Sequence, residues 1–159
     1  MPCPRRLAMR RFALTLACCT MAIGSPSPTT AQQPEVYTGI VEGVAVGGYD
    51  PVAYFTQGEP VVGKPEISHQ HAGVTWRFAT EESWEAFKAE PSKYAPQYGG
   101  YCAWAVARNY TAKGDPMAWS IVGDRLFLNY NQWVKRIWER DKPGNISKGD
   151  ANWPKVLEK

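Results

Sequence analysis

Beyond its first 31 residues the sequence is short of the side chains that do soft-metal and redox chemistry. It has four cysteines and two histidines in all. Cys3, Cys18 and Cys19 fall within residues 1–31, and Cys102 stands alone in the rest. Those 31 residues read as a secretory signal peptide. Arg5, Arg6, Arg10 and Arg11 make a basic start, Phe12 to Ile23 is an apolar stretch too short to span a bilayer as mature structure, and Thr29-Thr30-Ala31 offers small residues for cleavage after Ala31. Arg10-Arg11 invites a twin-arginine reading that the following residues fit poorly. A lipoprotein reading through Cys18 meets Thr15 where leucine is expected. Cleavage leaves one thiol, and one thiol excludes an intramolecular disulfide in a compartment that would permit it.

Charge of one sign is also lacking. The chain carries 18 Lys plus Arg and 15 Asp plus Glu, and removing the four leader arginines leaves 14 basic against 15 acidic groups. That balance gives no case for nucleic acid or an anionic membrane surface as partner. No second apolar run approaches membrane length, so the expected product is periplasmic or secreted with no stable membrane span. No nucleophile elbow or phosphate-binding glycine loop is present, which leaves hydrolase and nucleotide-binding readings without support. No internal repeat or low-complexity tract stands out.

What is abundant is aromatic. All seven tryptophans and all eight tyrosines lie beyond residue 31, enough to build a core in one domain of residues 32–159 with a short extended N-terminal arm. Val36 to Val46 alternates weakly, as an edge strand or extended arm. Asp50 and Pro51 predict a short helix near 51–56. "PEISHQHAGVTWRFAT" predicts a hairpin turning at Ala72-Gly73, with His71 facing Val74, His69 facing Trp76 and Ile67 facing Phe78 on one face. Thr80 caps a helix that Pro91 stops, and "PSKYAPQYGG" is a turn-rich approach. With Gly100 as cap, a helix from Tyr101 to about Arg108 carries Cys102 in its first turn. "AWSIVGDRLFLNY" is a second hairpin turning at Gly123-Asp124, Asn131 caps a helix, and turns with a short helix close the chain. The expected class is α+β, a small antiparallel sheet of hairpins packed with short helices.

The phrases "AVGGYDPVAYF", "GVTWRFAT", "EPSKYAPQYGGYCA", "AWSIVGDRLFLNY" and "ANWPKVL" resemble the exported branch of the YHS-domain proteins, over about residues 36–157. The resemblance implies binding of soft or heavy metals, with cysteines as ligands. Some exported relatives are named as candidate selenoproteins, which implies chemistry at the chalcogen. Two cysteines of the metal-linked pattern are replaced here by Ala53 and Ala79, and Cys102 is the thiol that matches the exported branch.

Three readings of Cys102 follow. As a metal ligand it would serve copper or another thiophilic ion, joined by His69 and His71, whose spacing puts both imidazoles on one side of a strand. With Met117 these make the ligand inventory of a blue-copper site, although the spacing is not that of a cupredoxin. As a redox group, Cys102 would be the reactive thiol, its pKa depressed by the backbone N–H groups of a helix start. Without either chemistry, the protein is an interaction domain presenting aromatic surface to a partner.

Overall fold

The computed structural model describes residues 32–159, so the proposed signal peptide lies outside the described residues. The chain is α+β, with six helices and two antiparallel two-stranded sheets among the described residues. The two hairpins form separate sheets.

Asp50 turns the chain into α1 (Ala53–Thr56). Next come β1 (Lys64–His71) and β2 (Val74–Phe78), then α2 (Glu81–Ala89) and α3 (Pro91–Tyr94). A 3-10 turn over Gln97–Gly100 leads into α4 (Ala103–Val106). Then β3 (Asp115–Val122) and β4 (Arg125–Asn129) are followed by α5 (Gln132–Glu139) and α6 (Lys142–Asn152). Helix starts follow their caps. The Thr80 hydroxyl accepts from Ser83 N–H, and the Asn131 side chain from Val134 N–H. Pro91 ends α2 and sits in the first turn of α3, where its missing N–H costs nothing. The expected turns at the chain end are largely replaced by the eleven-residue α6.

The first hairpin has the expected register from Ser68↔Arg77 to His71↔Val74. Phe78 pairs with Lys64 instead of Ile67, because a bulge between Lys64 and Ser68 shifts the ladder. Residues 36–44 form bends and single bridges, an arm with no strand of its own.

Little of the sequence repeats, but the backbone does. Val46, Gly47 and Gly48 all have positive φ, and so do Tyr98, Gly99 and Gly100. The ψ values at the first two positions, 26° and 19°, compare with 36° and 17°. Each turn precedes a tyrosine (Tyr49, Tyr101), a buried residue (Asp50, Cys102) and one short helix. Asp50 N–H donates to Val61 O at 2.8 Å, and Cys102 N–H to Ala112 O at 3.0 Å. Eight-residue and five-residue strands follow in both units, joined by a two-residue turn with positive φ at Ala72-Gly73 and at Gly123-Asp124. Both hairpins carry the same bulge, since Lys64↔Phe78 then Ser68↔Arg77 corresponds to Asp115↔Asn129 then Trp119↔Leu128. The residues after the second helix repeat too, with φ/ψ of −139°/65° at Glu90 and −143°/66° at Asp141. Residues 46–94 and 98–145 are therefore two copies of one unit.

Two aromatic clusters fill the interior. Trp76 and Phe87 stack at 4.8 Å in the first, and their counterparts Phe127 and Trp138 at 5.2 Å in the second, with the residue types exchanged. Leu126 and Leu128 of β4 pack into the first cluster, and Tyr54 of α1 donates to Pro116 O in β3 at 3.0 Å. The two units are thus interlocked through their cores.

Candidate functional site

Cys102 is 1% exposed and is the N-cap residue of α4, with φ −59° and ψ 114°. The expected helix from Tyr101 to Arg108 is shorter by half, and Cys102 precedes it instead of lying in its first turn. Tyr101 is extended because the left-handed pair at Tyr98 and Gly99 has already turned the chain. Gly99 is required there, since a Cβ would collide with the carbonyl oxygen of Glu35, and its own carbonyl accepts from Tyr37 N–H.

The sulfur sits in a nest of backbone N–H groups from Ala105, Tyr130 and Trp104. Two of these come from α4 and one from the residue that follows β4. The same nest exists in the first unit and holds a carboxyl group. Asp50 Oδ1 accepts from Val52 N–H at 2.9 Å and from Ala53 N–H at 3.4 Å, and Oδ2 accepts from Ala79 N–H at 2.9 Å. Val52, Ala53 and Ala79 are the counterparts of Trp104, Ala105 and Tyr130. Cys102 therefore occupies the place of a fully buried aspartate.

Asn129, fully buried at the end of β4, completes the surroundings. Its Oδ1 lies 3.9 Å from Cys102 Sγ and accepts from Trp104 N–H at 3.2 Å. Its Nδ2 is buried with no hydrogen-bond partner, and so is Trp104 Nε1. The Arg108 guanidinium stacks on the Trp104 ring at 3.7 Å.

Burial pushes the Cys102 thiol above its ordinary pKa, against the pull of the three N–H groups and Arg108. The expected depressed pKa is thus corrected. The helix start contributes its N–H groups as anticipated, but desolvation of the thiolate outweighs them.

His69 and His71 share one face of β1, as the register predicts. The His71 ring meets Phe87 edge-on at 5.7 Å, and His71 O accepts from Trp76 Nε1 at 3.0 Å. His71 also lines an open cleft of about 320 Å³ together with Glu35, Tyr98 and Trp153, and Cys102 does not reach that cleft. Met117 is 50% exposed on β3. Among the described residues, no group of three or more His, Cys, Asp or Glu side chains is placed to hold a metal ion.

Asn129 and Asp50 were the residues missed as parts of a site. The signal was available: "VGGYD" and "YGGYC" put Asp50 and Cys102 after the same tripeptide. No family model matches the chain, and no curated protein or solved structure matches it either.

Proposed function

We propose that the protein is a thiol redox protein with Cys102 as its reactive group. One observation carries this reading: a cysteine stands where the twin unit keeps an aspartate, inside a nest of N–H donors suited to a negative charge. A neutral thiol is a weak acceptor and uses such donors poorly. Buried donors without adequate partners are uncommon in folded proteins, and a redox role is among the reasons they persist. Burial holds the thiol pKa up, and the chemistry we propose is a stoichiometric response to a small oxidant.

Copper binding by Cys102, His69 and His71 is supported by the family resemblance, and the geometry adds nothing to it. The exported setting likewise comes from residues 1–31 alone. The test is reaction of the reduced, folded protein with hydrogen peroxide in the presence of dimedone. A sulfenic acid trapped at Cys102, absent in Cys102→Ser, supports the reading. Labelling that occurs only after denaturant is added defeats it.

A further inference from the structure

We propose that Cys102 is a site of oxidative modification whose stable product is the sulfinate, held in the second unit as Asp50 is held in the first. The proposal rests on the redox reading above and names its end state. A cysteine sulfinate carries two oxygens on the atom after Cβ and one negative charge, so it presents the acceptor pattern of an aspartate side chain. The first unit shows how that pattern is received. One Asp50 oxygen takes the N–H groups of Val52 and Ala53, and the other takes that of Ala79. The N–H groups of Trp104, Ala105 and Tyr130 are the corresponding donors around Cys102, with that of Trp104 now held by Asn129 Oδ1.

Asn129 is the independent sign that an acceptor belongs here. Its amide already reaches the sulfur through Oδ1, while its buried Nδ2 has no partner. Turning the amide about its last side-chain bond would bring that donor to an oxygen on the sulfur and free Trp104 N–H for the same oxygens. The counterpart of Asn129 in the first unit is Phe78, which has no donor. The polar residue thus accompanies the cysteine and not the aspartate.

The oxidant is a small hydroperoxide. The sulfur attacks one peroxide oxygen, the O–O bond breaks and an S–O bond forms. The transferred oxygen arrives as hydroxyl, and water or an alcohol departs with the thiol proton. Sulfur has then lost two electrons and the peroxide has gained them. Cys102 is the free cysteine of the described residues, so no second thiol of the fold can condense with the sulfenic acid. A second equivalent adds the second oxygen by the same exchange, and the sulfinic acid releases its proton to water.

The experiment treats the reduced full chain with hydrogen peroxide, maps added oxygen by mass spectrometry and compares thermal melting. Cys102→Asp and Cys102→Ser are melted alongside. The expected result is two oxygens on Cys102, an oxidised protein that melts above the reduced one, and Cys102→Asp melting above Cys102→Ser. Oxygen uptake with a lowered melting temperature, or a Cys102→Asp chain that does not fold, overturns the sulfinate nest and leaves the redox reading standing. No uptake at Cys102 together with a stable Cys102→Asp overturns the modification and the redox reading, and leaves only the anion preference of the nest.

Discussion

At the residue scale, two groups in matching positions differ in what burial does to them. Asp50 meets three backbone N–H groups with two strong acceptors, so Asp50→Asn, which turns one acceptor into a donor facing an N–H, should cost about 2 kcal/mol or more in urea unfolding. Cys102 meets its nest with a weak acceptor, and desolvation holds its pKa up. The sign for stability follows from that direction. A thiol whose folded pKa is raised contributes stability that is complete below its unfolded value, about 8.5, and is lost as pH rises through the folded value. Wild type should therefore lose stability relative to Cys102→Ser above about pH 8.5, and coincident pH profiles for the two would contradict the burial argument. Asn129→Asp tests the neighbour. It keeps an acceptor for Trp104 N–H and replaces the unpartnered amide donor with a second acid. Oxidised protein should then melt below reduced protein, reversing the wild-type order. The sequence made Cys102 conspicuous by its isolation. It could not make the pKa legible, because the balance of burial against N–H donation depends on how deeply β4 covers the sulfur. Asn129 stayed hidden for the same reason: it meets Cys102 only through the second hairpin.

Elements were legible where a local rule acts alone. Thr80 and Asn131 cap their helices as their residue types require, and both hairpins turn at the expected dipeptides. The bulge that moves Ile67 off Phe78 was not legible, since alternation in the strand continues on either side of it. The short α4 was overestimated because "YCAWAVAR" favours helix locally, while Arg108 and Asn109 close on Ala105 and Val106 carbonyls and end it. The hairpin turns also offer a test. Ala72 has φ +52° and Gly73 +75°, a pair that suits Asn-Gly better than Ala-Gly, because alanine is penalised in the left-handed region. Ala72 is exposed, so Ala72→Asn should raise stability by about 0.5 kcal/mol with no loss of function. An unchanged or lowered urea midpoint would mean that the turn is set by the strands and not by its own residues.

At the scale of the molecule, much of the fold repeats while little of the sequence does. "GGY" and the Gly-x-Pro of Gly63-Lys64-Pro65 and Gly114-Asp115-Pro116 persist because they fix backbone conformation. Core positions drift as Trp76 and Phe87 exchange types with Phe127 and Trp138, which conserves the aromatic stack and not the letters. The units are nonetheless not independent. The arm binds the second unit and the chain end, with Tyr101 Oη donating to Pro34 O at 2.8 Å and Gln33 N–H to Leu157 O at 3.0 Å. Leu126 crosses from the second hairpin into the first cluster. A change at Leu126 should therefore be felt in the first unit as strongly as in its own. Leu126 is fully buried, so Leu126→Ala should cost about 3 kcal/mol. Hydrogen exchange of the β1–β2 amides is the decisive measurement, because those amides belong wholly to the first unit. In an interlocked pair their slowest protection falls by the full amount, since opening the first unit exposes the cluster that Leu126 fills. If the β1–β2 amides kept their protection while those of β3–β4 lost it, the two units would be separate cooperative bodies, and the cross-unit packing would contribute little to stability.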